Sequence, residues 1–258
     1  MASRCKKCGY SNDAYSTNCA KCGNSLSDNL QNFKSGLDNI RKFSILYLVS
    51  SLIGTADFIF GFIGTKQVLI WVYSSFSLLT IDDIKGALSS HLYIYQLFIA
   101  VSLIIALFAV YFLRKGYRHF EKNEPALGRS VKATHIVYGG LAVMIVSEIV
   151  MAGIIIAMIP GINLVPPAYS TTELNLILSF SIAASIGGSL GFIGFLLGIH
   201  IGLHRVSWSM GEGRYGILNL FYIVSLAVPP AGLIASYLTY YSTGIMVQKL
   251  NNSLGRIR

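Results

Sequence analysis

Long apolar runs alternate with short polar segments over most of this 258-residue chain. A helix needs about 20 apolar residues to cross the roughly 30 Å hydrocarbon core of a bilayer. Five runs meet that length, and they cover 43–63, 92–113, 136–159, 174–203 and 217–243. The pattern therefore predicts an all-α polytopic membrane protein with about five transmembrane helices. We expect the last two, which are the longest, to tilt or to extend beyond the bilayer.

A sixth apolar run, 67–81, is too short to span comfortably. It contains Trp71 and Tyr73, and both residue types are enriched where membrane meets water. We expect this segment to lie on, or dip into, the outer face of the membrane. A short sixth transmembrane helix is the alternative.

The segment 27–42 precedes the first span and has apolar residues at helical spacing, namely Leu30, Phe33, Leu37 and Ile40. This spacing predicts an amphipathic linker helix that lies on the inner membrane surface. The alternative is that 27–42 simply extends the first transmembrane helix towards the N-terminus.

Charged residues make up only 12% of the chain, against about 25% in soluble domains, while the net charge is +9. Lys and Arg concentrate in three segments, 1–42, 114–135 and 204–216. Because cytoplasmic loops of membrane proteins are rich in Lys and Arg, these segments predict a cytoplasmic N-terminus in the cell membrane. Topology explains most of the charge, so a nucleic-acid partner is not needed. The segment 114–132 could also bind anionic lipid headgroups.

The two ends of the chain raise separate questions of topology. The first 42 residues are polar, so no cleavable signal peptide is expected. Five crossings would put the basic tail, 249–258, outside, against the charge rule. A sixth crossing by 67–81 would bring the tail inside but would send 114–135 outside, so five spans in a membrane domain 43–248 are the better prediction.

All four cysteines lie in one N-terminal stretch, CKKCGYSNDAYSTNCAKCG, as two CxxC pairs separated by ten residues. Four thiolates on two facing turns suit a tetrahedral zinc ion, so we predict one zinc bound by Cys5, Cys8, Cys19 and Cys22. All four positions are filled by protein, which is typical of a structural site. Zinc would supply the folding energy of a domain covering 1–26. Two disulfides would need an oxidising compartment, which the predicted topology does not provide.

The same stretch resembles the short zinc ribbon found at the N-termini of many prokaryotic membrane proteins. Cys5, Cys8, Gly9, Asn12, Cys19, Cys22, Gly23 and Leu26 fit its pattern. Asn18 stands where that family often has an aromatic residue, and the resemblance covers about a tenth of the chain. Together with its Ile-, Gly- and Tyr-rich spans, the chain resembles an archaeal multi-pass membrane family of unknown function, domain-of-unknown-function family 973. Neither resemblance implies a reaction.

Two acidic residues fall within predicted spans, where charge is costly and often functional. Asp57 shares a helical face with small residues, Gly54 and Gly61, so it should point into protein. One interpretation of Asp57 and Glu148 is a proton or cation relay. The other, which we favour, is that each is a protonated or hydrogen-bonded carboxyl group that fixes helix packing.

Two histidines lie on one face at the inner end of the fourth span, His200 and His204. Their spacing can hold a metal or a haem ligand, with His135 as a third group at the same interface. Interfacial polar residues are the interpretation we favour.

Glycines form a stripe along the fourth span, at Gly187, Gly191, Gly194, Gly198 and Gly202. A glycine stripe allows another helix to approach closely, and it could equally hold a lipid or quinone tail; we favour helix packing. In the fifth span, Pro229 and Pro230 should kink the helix. Such breaks can mark a transporter's substrate site, but no inverted repeat accompanies this one.

The sequence lacks a Walker motif, HExxH, a nucleophile elbow and a Rossmann glycine pattern. It therefore predicts a non-catalytic role, as an accessory or scaffold subunit of a membrane complex, in which the zinc ribbon docks a protein partner. The alternative is a small transporter or channel built around Asp57 and Glu148. A membrane enzyme that uses the inner histidines is a third hypothesis.

Overall fold

The computed structural model of the protein describes residues 2–75, 81–123, 128–158, 171–209, 215–225 and 230–255. Strand β1 (Ala2–Arg4) pairs antiparallel with β2 (Ser11–Asp13). Within the described ranges the helices are α1 (Ser27–Ser75), α2 (Ile81–Glu121), α3 (Gly128–Met158), α4 (Thr171–Leu196), α5 (Gly202–Ser209), α6 (Tyr215–Val224) and α7 (Pro230–Gly255). A π-helical turn, Leu197–Ile201, joins α4 to α5. The protein is mostly helical with a four-cysteine cluster at its N-terminus, as predicted.

Helix α1 has 49 residues and therefore extends over about 74 Å. It joins the predicted linker 27–42, the predicted first span and residues 67–75 in one helix without a break. The apolar side chains of the linker, including Leu30 and Phe33, are fully buried inside the protein. Residues 27–42 are thus continuous with 43–63 in α1, and their apolar side chains face the interior of the protein. The end of the 67–81 segment, 76–80, lies outside the described residues.

Helices α1 and α2 pack antiparallel along much of their length. Near the N-terminus of α1 they touch at glycines: a Cβ atom on Gly116 would lie 3.0 Å from the carbonyl oxygen of Gly36. Further along, the Ser50 hydroxyl donates to the carbonyl oxygen of Ser102 at 3.1 Å. The core begins at this pair of helices and extends to α7, because Met246 and Leu250 belong to the same buried cluster as Leu37.

Helix α3 packs antiparallel to α2, and α4 packs antiparallel to α3. Arg114 on α2 donates from Nη2 to Nε2 of His135 on α3 at 2.8 Å. At the other end of these helices the side chains of Gln96 and Glu148 form a hydrogen bond. The four long helices thus pack one against the next in the order α1, α2, α3, α4.

The predicted fifth span, 217–243, falls on two helices, since α6 ends at Val224 and α7 begins at Pro230. Proline lacks the backbone N–H and its ring clashes with the preceding turn, so it interrupts a helix but suits its first position. Pro229 and the rest of 226–229 lie outside the described residues.

Helices α6 and α7 run antiparallel to each other. The hydroxyl groups of Tyr222 and Thr239 are 2.9 Å apart. Nearer the break, a Cβ atom on Gly232 would lie 3.2 Å from Cβ of Ser225. The two helices therefore form a hairpin, and this differs from the single kinked span that the sequence predicts.

Among the described residues, two stretches are long and apolar enough to cross a membrane, Gln96–Glu121 in α2 and Gly128–Val150 in α3. Both contain most of a predicted span. Only 17% and 28% of their most apolar windows is buried, whereas the core helix of a soluble protein would be mostly buried. The number of spans beyond these two stays a prediction.

Candidate metal centre and polar sites

The four cysteines sit on two tight turns with the same local geometry. In the first, the amide of Gly9 donates to the carbonyl of Cys5 at 2.8 Å, and in the second the amide of Gly23 donates to that of Cys19 at 2.8 Å. Both glycines have positive φ, 71° and 68°. This backbone conformation costs glycine little, because it has no Cβ atom. The CxxCG pattern therefore builds two equivalent turns.

The four sulfur atoms lie within 4.8 Å of one another. Sγ of Cys5 is 3.6 Å from Sγ of Cys22, and Sγ of Cys8 is 3.5 Å from Sγ of Cys19. Zinc–sulfur bonds of about 2.3 Å in a tetrahedron place neighbouring sulfurs about 3.8 Å apart. The cluster thus has nearly the dimensions of a four-thiolate metal site, and its cysteines are unbridged.

Backbone amides point at the first cysteine of each pair. The amides of Cys8 and Lys7 hold the pKa of the Cys5 thiol below its ordinary value. Burial opposes ionisation of Cys19, but the amides of Cys22 and Lys21 outweigh it and lower the pKa of this thiol to about 6. Amides aimed in this way stabilise thiolates, which are the form that binds a metal. At Cys8 the amide of Tyr10 acts in the same direction, but burial and the three neighbouring thiols outweigh it and raise the pKa of this thiol to about 12.

Asn12 connects the two turns. Its side chain is buried and donates from Nδ2 to the carbonyl of Tyr10 at 3.1 Å. Its Oδ1 accepts from the amide of Ala20 at 2.8 Å, and its side chain also hydrogen-bonds the thiol of Cys19. This one carboxamide therefore fixes the distance between the turns.

We call the cysteine cluster and the strands β1 and β2 together the ribbon. The ribbon packs against the helices. Leu26, only 2% exposed, covers Cys5 and Cys19 and directly precedes α1. The Asn29 side chain donates to the carbonyl of Arg4 at 3.1 Å, and that of Asn123 donates to the carbonyl of Asn29 at 3.2 Å. The ribbon is thus held by the start of α1 and the residues just after α2.

The donor set fits one metal ion held entirely by protein. Four thiols of two CxxC turns suit a soft tetrahedral ion, and no fifth group completes or opens the site among the described residues. Elsewhere in the described part of the chain, no other group of three or more potential metal ligands comes together. The four cysteines are therefore compatible with metal binding, and a role in catalysis has no support from their geometry.

The two acidic residues of the predicted spans, Asp57 and Glu148, have different surroundings. Glu148 on α3 is hydrogen-bonded to Gln96 on α2, so it joins two helices. Asp57 on α1 has one buried carboxylate oxygen that finds no partner among the described residues. The described contacts do not bring the two acids together, and the relay stays a hypothesis.

The three histidines that the sequence predicts at the inner end of the helices have separate positions. His135 accepts from Arg114, and its side chain is exposed. His204 on α5 is also exposed. His200 lies in the π-helical turn, and its side chain is outside the described residues. The described atoms of His135 and His204 are not part of a metal-ligand cluster.

The glycine stripe of α4 faces α3 and the end of α2. A Cβ atom on Gly140 of α3 would lie 2.5 Å from both the carbonyl oxygen of Gly187 and the amide nitrogen of Gly191. One on Gly194 would lie 2.8 Å from the backbone of Val137. Gly198 and Gly202 continue the stripe into the π-helical turn, where Gly202 lies against the ring of Tyr117. The stripe therefore brings backbone close to backbone.

A cavity of about 460 Å³ lies between the helices, with walls from α1, α2, α3 and α4 and from Ser225 after α6. Its polar groups are hydroxyls of Tyr47, Ser50, Ser51, Ser102 and Ser225. The other described walls are apolar or glycine, and none of the described lining residues is charged. The sequence pattern had not indicated this cavity.

Comparison with protein-family models, with curated proteins and with solved structures finds no match to this chain. The resemblances noted above therefore stay predictions, and function has to be argued from the structure itself.

Some important contacts leave no signal in the sequence. The Tyr117 hydroxyl donates at 2.6 Å to the carbonyl of Gly198, which lies in the π-helical turn. Asn123, which anchors the ribbon, is one polar residue in a polar loop. Only Asn12 could be singled out, since it fits the ribbon pattern.

Proposed function

We propose that the protein is a multi-pass protein of the cell membrane that carries a zinc ribbon on its cytoplasmic side. In this role it is an accessory or scaffold subunit of a membrane complex, and the ribbon docks a protein partner. One observation supports the membrane location. On several helices the exposed side chains change from apolar to basic, and the change occurs at the same height on each helix.

The apolar part of this surface forms continuous stripes. On α2 the exposed residues Leu97, Val101, Ile104, Phe108 and Tyr111 follow one another at helical spacing. On α4 the stripe contains Leu178, Ile182, Ile186, Leu190 and Ile193. Contiguous apolar surface of this extent is rare in soluble monomers and fits a lipid environment.

The boundary of the apolar surface is marked on three helices by adjacent apolar and basic residues. These exposed pairs are Ile45 and Lys42 on α1, Tyr111 and Lys115 on α2, and Ile136 and Lys132 on α3. Basic residues gather on the cytoplasmic side of membrane proteins. The boundary therefore supports a cytoplasmic location for the ribbon, which lies on the basic side.

Aromatic contacts occur at the same boundary. The guanidinium of Arg41 lies 4.6 Å from the ring centroid of Tyr240, and its Nη2 donates to that residue's hydroxyl at 2.8 Å. Nζ of Lys42 is 5.6 Å from the ring centroid of Phe112. Tyrosines and basic residues are typical of the membrane–water interface.

The ribbon has the properties of a docking domain. Its metal site is closed, so the metal maintains the fold and leaves no position for a substrate. Lys6, Lys7 and Lys21 lie between the cysteines of the two CxxC pairs and are exposed, and Tyr10 is exposed as well. A basic surface with an exposed aromatic residue suits an acidic patch on a partner protein.

Extraction in mild detergent tests the docking role. The protein should purify with a stoichiometric partner, and the triple variant Lys6→Glu, Lys7→Glu, Lys21→Glu should lose that partner while keeping its zinc. A matched variant with Lys115→Glu, Lys122→Glu and Lys132→Glu, on the helix ends, should keep it. Purification of the wild type as a monomer or homo-oligomer would rule out the accessory role.

A transporter or channel is the second candidate. It is favoured by the cavity together with Asp57, which lies outside the cavity's described lining and has a carboxylate oxygen without a partner among the described residues. Gly54, which lines the cavity, is one helical turn from Asp57. If the site conducts ions or protons, Asp57→Asn should abolish flux in proteoliposomes, since intramembrane carboxylates commonly carry the charge. Asp28→Asn, on an exposed residue of the ribbon side, is the control; equal flux in wild type and Asp57→Asn would exclude this mechanism.

A further inference from the structure

The direction of α7 relative to α1 shows on which side of the helices α7 ends. Near the start of α7, Gly232 lies against the hydroxyl of Ser51 on α1. Eight residues later, Tyr240 bonds Arg41, which precedes Ser51 by ten residues. Helix α7 therefore runs back towards the N-terminus of α1, and Leu250 joins the buried cluster that contains Leu30. The C-terminal end of α7 thus lies on the ribbon side.

Helix α6 reaches the same depth from the same side. The ring centroid of Tyr222 is 6.0 Å from that of Phe43 and 5.4 Å from that of Tyr47. The hydroxyl of Ser225 is 3.0 Å from that of Tyr47. Since Ser225 also lies beside Gly232, both ends of the connection between α6 and α7 are at one level of α1.

That level is close to the middle of the proposed bilayer. Arg41 and Lys42 lie at the cytoplasmic boundary, and Ser51 is nine residues beyond Lys42 in the same helix. Nine residues of α-helix rise about 14 Å, which is half of a roughly 30 Å hydrocarbon core. Helix α6 and the first half of α7 therefore enter about halfway and return.

A half-spanning hairpin explains two properties that a fifth span does not. It places the basic tail with Lys249 on the cytoplasmic side, in agreement with the charge rule. It also explains why the end of α6 and the start of α7 carry hydroxyl groups and a glycine. Backbone at the end of a helix is tolerated at membrane depth only where protein or a polar cavity surrounds it. Ser225 contributes to the wall of the hydroxyl-lined cavity.

The chemistry of the cavity limits its occupant. Ser50 and Ser102 bond each other, as do Tyr47 and Ser225, whereas the Ser51 hydroxyl has no hydrogen-bond partner among the described residues. A mostly apolar wall with a few hydroxyls suits a neutral molecule with a hydrogen-bonding group. A charged ligand would lose its hydration without an opposite charge in the described walls.

We propose that α6 and α7 form a re-entrant hairpin, that both ends of the chain are cytoplasmic, and that the hairpin closes one side of a mid-membrane site for small uncharged molecules. The inference rests on the proposed membrane location. It replaces five crossings with four, made by α1, α2, α3 and α4.

Protease protection of epitope tags at the two ends of the full-length chain tests the hairpin. In sealed inverted vesicles both tags should be digested, and in right-side-out vesicles both should be protected. Tags on opposite sides would overturn the hairpin. Tags that are both on the outer side would keep the hairpin but contradict the cytoplasmic ribbon, so the two proposals fail separately.

Replacement of Ser51 by cysteine tests the site. In sealed vesicles, Ser51→Cys should react with uncharged N-ethylmaleimide but not with a sulfonated, negatively charged maleimide, when labelling is read residue by residue by peptide mass spectrometry. Ser253→Cys, at the exposed end of α7, is the control and should react with both reagents in inverted vesicles. The proposed site would be wrong if the Ser51→Cys variant reacted at this position with neither reagent, or if it reacted equally with both.

Discussion

Asn12 shows how one residue can shape a candidate metal site without being one of its ligands. Its carboxamide bonds the backbone of both turns and also the thiol of Cys19. A buried amide therefore helps to keep the spacing of the four sulfurs. Groups that orient metal ligands in this way commonly affect affinity almost as strongly as the ligands.

We expect Asn12→Ala to weaken zinc binding by about 10- to 100-fold, because loss of an outer-shell partner costs this much in other metal sites. Competition with a chromogenic chelator measures the affinity. Asn18→Ala, at an exposed position of the same ribbon, should leave the affinity unchanged. Equal affinities of wild type and Asn12→Ala would mean that the turns are held apart without this side chain.

At the scale of helices, close contact between α3 and α4 depends on glycine on both sides. Gly140 meets the backbone of α4 directly, whereas its neighbour Gly139 is exposed and has open space around the position of a Cβ atom. A methyl group added at Gly140 would therefore clash with the backbone of α4, whereas one added at Gly139 would meet open space. The pair offers a matched test of helix packing.

Gly140→Ala should destabilise the protein by about 1–3 kcal/mol, since overpacking forces backbone apart. Thermal unfolding of the purified protein in detergent should show a lower midpoint. Gly139→Ala should leave the midpoint close to that of wild type or raise it slightly, because alanine favours helix. A normal midpoint for Gly140→Ala would show that α4 can move away at no cost.

The sequence predicts elements better than their arrangement. Hydropathy identifies α2 and α3 because their exposed surface is apolar for a whole bilayer width. It does not distinguish a span from a hairpin, since 217–243 is apolar in both cases. Only tertiary contacts, such as that of Gly232 with Ser51, show that α7 runs back towards the N-terminus of α1. The cysteine turns were predictable because spacing and glycine conformation are local, whereas the Asn123 anchor depends on tertiary contacts.

In the whole molecule, the ribbon and the helices depend on each other unequally. The ribbon has a small core of its own, made by the cysteines and Leu26. Ala14, by contrast, joins the large cluster that contains Leu30 and Phe33. The helices keep extensive contacts without the ribbon, for example Phe33 with Phe120, whose ring centroids are 5.8 Å apart. Metal loss should therefore unfold one part of the protein.

We expect zinc removal by a chelator to abolish hydrogen-exchange protection in 5–26 and to reduce it in the first turns of α1, while α2, α3 and α4 stay protected. A small four-cysteine domain without its ion lacks the free energy to stay folded. The double variant Cys5→Ser, Cys22→Ser should show this pattern before chelator is added and change no further. Protection of the ribbon after complete zinc removal would mean that contacts of Leu26 and Asn29 are enough to fold it. Loss of protection in every helix would instead mean that the metal stabilises all the helices of the protein.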